Sequence, residues 1–189
     1  MGVPGSGKGT QSKILADFLK VPAISTGDII RSHIKRDTAC ARELKYYNDN
    51  GLLVPDEIVL GMVSQAICSA KVSSILSPLN PSGGWILDGF PRNTKQVNNL
   101  DSLLLGMDEA SYSSVICLDV PDDVVIARIA VRAAIENRED DKTAMKKRLE
   151  VYHQDTAPLI QLFKDRNQLI VINGNRLVDD ITTDLKERI

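Results

Sequence analysis

Lys8 is the first residue of this chain equipped for chemistry, and its neighbours indicate which chemistry. Gly2, Gly5, Gly7 and Gly9 surround it, with Ser6 two places before and Thr10 two places after, in the run MGVPGSGKGTQ. Glycines let backbone N–H groups close around an anion, and a helix starting near Lys8 adds the positive end of its dipole. The spacing Gly2-x-x-x-x-Gly7-Lys8 is that of a phosphate cradle, in which lysine reaches the outer phosphates as a point charge. The general pattern wants Ser or Thr directly after lysine to hold magnesium. Gly9 stands there, and Thr10 comes one later.

Further along, ISTGDIIR carries Ser25 or Thr26 as a helix cap with Asp28 in a capping-box-like place. Capping alone would account for those residues; Arg31, on the first turns of that helix, could also face a second anion. GWILDGFPR ends an apolar run in Asp88 and continues through Gly89, Phe90 and Pro91 to Arg92. An acid at a strand end beside a phosphate cradle can hold water on Mg²⁺, and arginine offers a planar fork for phosphate. Arg128 and Arg132 lie four apart on one helix face, Arg138 lies in ENREDDK beside Asp140 and Asp141, and Arg148 lies on the next helix. A solvated face explains any one of these arginines. As a set they could converge on one polyphosphate.

These residues need a scaffold. Four short apolar runs, 21–25, 85–88, 115–119 and 169–173, read as buried strands. Helical stripes separate them: Ile14, Leu15, Phe18 and Leu19 in one, Ile58, Val59, Met62, Val63 and Ile67 in another. Strands alternating with helices imply an α/β fold with a parallel sheet and right-handed crossovers. Ligands in such sheets bind beyond the carboxyl ends of the strands. There the chain places Ser25–Asp28, then Asp88–Arg92, then Pro121 and Asp122, and finally Gly174, Asn175 and Arg176.

Composition narrows the class. In 189 residues, 43% are hydrophobic and the net charge is −2. That gives no electrostatic case for nucleic acid or for an anionic membrane surface. No apolar run reaches the roughly 18 residues of a spanning helix, and the glycine-rich start does not read as a signal peptide. Cys40, Cys68 and Cys117 are scattered and odd in number, without C-x-x-C. A reduced, cytoplasmic setting is expected, with neither disulfide nor zinc site.

GVPGSGKGTQ, ISTGDIIR, GLLVPDEIV, LDGFPR with Gln96, REDD and RLEVYHQDTAPLI appear in the order found in adenylate kinases. The chain resembles that family along essentially its whole length. The resemblance implies a three-layer P-loop core over residues 1–189, an AMP-binding lobe at 25–54 and a short lid at 132–138. Only residues 133–137 separate Arg132 from Arg138, so the chain resembles the short-lid form and no zinc is expected. By the same resemblance, Gly5, Ser6, Gly7, Lys8, Gly9 and Thr10 are the ATP phosphate cradle. Arg128 packs on the ATP adenine, Arg132 binds phosphate beside it, and Arg176 lies at the base. Thr26, Arg31, Leu52, Leu53, Val54, Gly89, Phe90, Pro91, Arg92 and Gln96 match the AMP site. Arg138 and Arg148 meet the transferring phosphoryl, with Asp140 and Asp141 orienting the lid arginines. Lys8, Arg92, Arg132, Arg138 and Arg148 are the expected catalytic set, with Mg²⁺ arriving on ATP and Asp88 reaching it through water. The implied reaction is ATP + AMP ⇌ 2 ADP, run by a monomer. A nucleotide sensor without turnover, an inactive truncated kinase, or a pyrimidine nucleoside monophosphate kinase are the rival readings.

One feature sits badly with that scaffold. In the family, the strand before the cradle is central in the sheet and about five apolar residues long; here only Met1 precedes Gly2. Each well-buried apolar side chain contributes about 1.5–3 kcal/mol. The expectation is a sheet lacking its central strand, in a chain that starts upstream of Met1 or folds and works poorly.

Overall fold

A computed structural model describes residues 1–76, 84–107, 112–135 and 139–189. Four strands fall inside the expected runs: β1 (Ala23–Ser25), β2 (Ile86–Asp88), β3 (Val115–Asp119) and β4 (Leu169–Asn173). Between them lie α1 (Lys8–Leu19), α2 (Thr26–Lys35), α3 (Ala41–Asp49), α4 (Asp56–Leu76), α5 (Thr94–Gly106), α6 (Asp122–Ile135) and α7 (Glu139–Val151). A π-turn (Tyr152–Thr156) leads into α8 (Pro158–Asp165), and α9 (Val178–Arg188) follows β4.

All the pairing is parallel, as the alternation of strand and helix requires. β1 runs beside β2 with Ile24 opposite Leu87, and β3 beside β4 with Cys117 opposite Val171. Helices cover the strands from both sides. Leu15 of α1 and Ile181 and Leu185 of α9 meet Leu118 of β3 and Ile172 of β4. Val59, Val63 and Ile67 of α4 and Leu100 and Leu104 of α5 pack on Ile24 of β1. Val97 of α5 joins Leu159 and Phe163 of α8 over Val115 and Leu169. Side chains alternate across a strand, so β3 turns Ile116 and Leu118 to one layer and Val115 to the other.

The described strands pair two and two rather than as one continuous sheet, and β2 does not pair with β3. Met1 alone lies along the free side of β3. Its amine donates to the Ile116 carbonyl, and the Leu118 N–H donates to the Met1 carbonyl at 3.0 Å. This is the beginning of a parallel ladder, and it goes no further because Gly2 turns into the cradle at φ +132. A Cβ on Gly2 would stand 2.6 Å from the Leu118 carbonyl oxygen, so only glycine makes this exit.

The stripe expected on α4 holds, with Val59, Val63 and Ile67 all buried. The one expected on α1 holds only in part: Leu15 is buried, but Phe18 is 52% exposed. α9 packs along this same face of α1, where Gln11 Nε2 donates to the Val178 carbonyl and Thr182 donates to Gln11 Oε1 at 2.9 Å. Phe18 is left under the Lys186 ammonium, 4.6 Å from its ring centre. Among the described residues, no helix is long and apolar enough to cross a membrane.

Candidate active site

The cradle is closed by its own lysine. Lys8 Nζ folds back over its own loop and donates to the Gly2 carbonyl at 2.7 Å and the Val3 carbonyl at 2.8 Å. Ser6 is buried and its N–H donates to Val3. α1 starts at Lys8, and its first turn carries no acidic residue. The leading N–H groups of a helix lack intrahelical partners, so Lys8, Gly9 and Thr10 present a positive end to the loop.

Beside the cradle stand the exits of β1 and β2. Ser25 caps α2 as expected, its hydroxyl accepting from the Asp28 N–H at 3.2 Å. Thr26 is fully buried and donates to the Asp88 carbonyl at 3.3 Å, joining the two strand ends. Gly89 follows at φ +86, where a Cβ would stand 2.5 Å from the Thr26 hydroxyl. Arg92 is half-buried, and its Nε donates back to the Gly89 carbonyl at 2.6 Å. Phe90 belongs to the core beneath, with Ile24 and Val63.

Charge from five parts of the chain acts here. Burial lowers the Lys8 ammonium to about 8; Asp88 opposes the shift, Arg92 adds to it, Cys117 opposes it and Arg132 adds to it. Burial also lowers the Arg92 guanidinium, with Asp88 opposing and Arg148 and Arg31 adding to the effect. Repulsion among cations of this kind is relieved wherever a polyanion binds.

Lys8 therefore gives the site a proton signature. The unligated ammonium loses its proton as pH rises through about 8, whereas the unfolded value is 10.5. Between those limits the unfolded chain binds more protons, so this group makes stability rise with pH across that window. A bound polyphosphate restores the charge. Titrating ATP near pH 9 in buffers of different ionisation enthalpy is expected to show proton uptake that Lys8→Met removes. Uptake that survives that substitution would place the shifted group elsewhere.

α6 packs directly on the cradle, where a Cβ on Gly5 would stand 2.7 Å from Ile129 Cγ1. Arg128, Val131, Arg132 and Ile135 line an open hollow of about 470 Å³. Arg128 also donates to the Gly174 carbonyl at 3.0 Å, joining α6 to the turn after β4. Arg176 is committed within that turn and to α9: its Nε donates to the Asn173 carbonyl at 3.1 Å and its guanidinium pairs with Asp184 at 2.5 Å. Arg31 pairs with Asp28 at 2.5 Å, 37% exposed. Val54 is buried, and Leu52 and Leu53 are half-buried. Arg138 lies outside the described residues, as do the side chains of Asp140 and Asp141. Among the described residues, no three His, Cys, Asp or Glu side chains gather to hold a metal ion.

Two partners of the site were not visible in the sequence. Asn48 of α3 accepts from Arg148 of α7 through its carbonyl at 3.1 Å. Asp56 of α4 accepts from Gln96 Nε2 at 2.7 Å, while Gln96 Oε1 accepts from the Arg92 N–H at 2.7 Å. Gln96 is thus a buried brace on Arg92. Asp56 follows Pro55 in the quoted GLLVPDEIV, which marks a helix start but does not show what the carboxylate holds.

A glycine cradle under a lysine, facing arginines from separate helices across strand ends, is the arrangement of a P-loop phosphoryl-transfer protein. The sequence model of the adenylate kinase family matches residues 1–168. The chain is 42% identical to the adenylate kinase of Trichodesmium erythraeum, over all of this chain and 95% of that protein. It is 41% identical to adenylate kinase 1 of a Nostoc species, covering 98% and 94% of the two chains. It is 40% identical to the adenylate kinase of Bifidobacterium longum, covering 96% and 93%. The chain belongs to the adenylate kinase family.

Proposed function

We propose that the adenylate kinase reaction of this chain, ATP + AMP ⇌ 2 ADP, runs between the Lys8 cradle, Arg92 in the turn before α5, and the arginines of α6 and α7. The observation that carries this is the electrical contact of Lys8 with Asp88, Arg92 and Arg132, and of Arg92 in turn with Asp88, Arg148 and Arg31. The helices on both faces of the strands support the three-layer P-loop sandwich as its scaffold. ATP lies with its phosphates in the cradle, and Asp88 would hold the magnesium that travels with it through water, where the ion would offset charge on the phosphates. Its base lies in the hollow beside Arg128. AMP lies against Arg92, Arg31 and residues 52–54, in a lobe formed by residues 25–54. Residues 132–138 form the lid, of which Arg132 to Ile135 end α6.

The chemistry asks for little beyond position and charge. A phosphate monoester has its second pKa near ~6, so the AMP oxygen that attacks is already anionic at neutral pH. No general base is needed, and both histidines are occupied away from the cluster. His33 Nδ1 lies 3.0 Å from the Thr38 hydroxyl, and His153 pairs with Asp122 at 2.8 Å. In-line transfer then depends on holding the two nucleotides end to end and compensating the charge that spreads over the moving phosphoryl group. Closure of lobe and lid excludes water that would otherwise attack ATP.

Two measurements test this. Coupled ADP production from ATP and AMP is expected with the purified chain, and its absence would leave a nucleotide sensor. With CMP and UMP as rival acceptors, kcat/KM for AMP is expected to lead by at least about tenfold. Equal values for UMP and AMP would move the assignment to a pyrimidine kinase.

A further inference from the structure

The geometry points to Thr156 as a positioning residue for Arg92, presented by the π-turn between α7 and α8. The inference rests on the placement of Arg92 in the acceptor site. Thr156 is 6% exposed, and its Oγ1 donates to the Arg92 carbonyl at 2.8 Å. On the other side of the same residue, the Arg92 N–H donates to Gln96 Oε1 at 2.7 Å. The Arg92 main chain is therefore gripped at both of its polar groups by buried side chains from two different helices. Its Nε is fixed a third time by the Gly89 carbonyl at 2.6 Å. Only the outer guanidinium nitrogens are left to meet a ligand.

The sequence gives a reason for the π-turn. Pro158 has no N–H for the carbonyl four residues back, and its ring crowds that carbonyl. The helix widens before it, and the Ala157 N–H donates to the Tyr152 carbonyl five residues back at 2.8 Å. Such wide turns are uncommon, and they concentrate at functional sites. Here the turn ends on Thr156, while Leu159 and Phe163 one turn and two turns later are fully buried in the core. The same helical run carries Arg148 two turns earlier, and Arg148 and Arg92 act on each other electrically. One continuous element thus sets the distance between two arginines that come from separate parts of the chain. Without the Thr156 hydroxyl, the Arg92 carbonyl is buried without that donor, and the 89–92 turn relaxes.

A double-mutant cycle tests this. Thr156→Val removes the hydroxyl at nearly constant volume. It is expected to lower kcat/KM for AMP about 10- to 100-fold, the scale of a small misplacement of a catalytic group, with KM for ATP unchanged. Thr156→Ser, which keeps the donor, is expected to recover most of that loss. In an Arg92→Met background, Thr156→Val is expected to change kcat/KM by less than about twofold, because its route to the substrate is already gone. Thermal unfolding of each variant accompanies the kinetics, and Thr156→Ala replaces Thr156→Val in the cycle if that variant does not fold. A loss of equal size in both backgrounds would show a general structural role and overturn the proposal. So would a Thr156→Ser variant as impaired as Thr156→Val, or a Thr156→Val enzyme within twofold of the parent. If Arg92→Met itself retains full activity, the placement of Arg92 in the acceptor site fails, and the proposal falls with it.

Discussion

Replacing Lys8 by methionine is expected to lower kcat for ADP formation by about 100- to 1000-fold, the scale of losing one transition-state donor. Two effects add. Lys8 is a cation in a half-buried site, where charge acts through a lower effective dielectric than in water. Its ammonium also closes the loop, bonding to the carbonyls of Gly2 and Val3. Methionine keeps the packing of the stem and removes both. The fold itself is expected to tolerate the change, because a lysine whose pKa has been pushed down to about 8 is held at a cost in the unligated protein. The lesion should therefore appear in kcat and in KM for ATP and be nearly absent from the melting curve. Lys8→Arg is not expected to restore activity, since a planar fork cannot reproduce a point charge bonded to two carbonyls. Steady-state kinetics decide it: a Lys8→Met enzyme within tenfold of the parent would take Lys8 out of the phosphate site.

A second large effect is expected from the space between β2 and β3. The two strands do not pair, and Met1 alone bonds to β3 there. Val3, just beyond Gly2, is already 6% exposed in a cluster with Val120, Val125 and Leu149. An apolar strand placed between β2 and β3, for example Met-Ile-Ile-Leu-Leu in place of Met1 before Gly2, would continue the ladder that Met1 starts. Every backbone group it carries would find a partner on one side or the other. Burying two of its side chains completely contributes on the order of 3–6 kcal/mol, which raises the melting temperature by roughly 10 °C in a domain of this size. ADP formation should rise as well, because Gly2 and the Lys8 loop would then hang from a strand held on both edges. Thermal unfolding and activity of the two forms, side by side, provide the measurement. Equal melting temperatures would mean that β2 and β3 do not admit a strand.

The sequence by itself determined whatever depends on neighbours in the chain. The cradle was legible because its glycines and lysine are contiguous, and close approach of backbone to phosphate constrains residue type position by position. Ser25 was legible as a cap for the same reason, its bond to Asp28 spanning three residues. The four strands were legible as apolar runs of the right length, and the motif order carried the family. Tertiary structure decided what lies between distant segments. Gln96 matches the AMP site by resemblance, but only the fold shows it between Asp56, 40 residues away, and the Arg92 N–H. The bond between Arg148 and Asn48 spans 100 residues and that between Thr156 and Arg92 spans 64, and no local pattern encodes either pairing. The exposure of Phe18 was likewise settled by what lies over the end of its stripe, where α9 brings Lys186 rather than an apolar side chain, because periodicity marks an apolar stripe but does not say what covers it. Spacing specifies local geometry, whereas a site built from strand ends and helix faces is specified by how those elements pack.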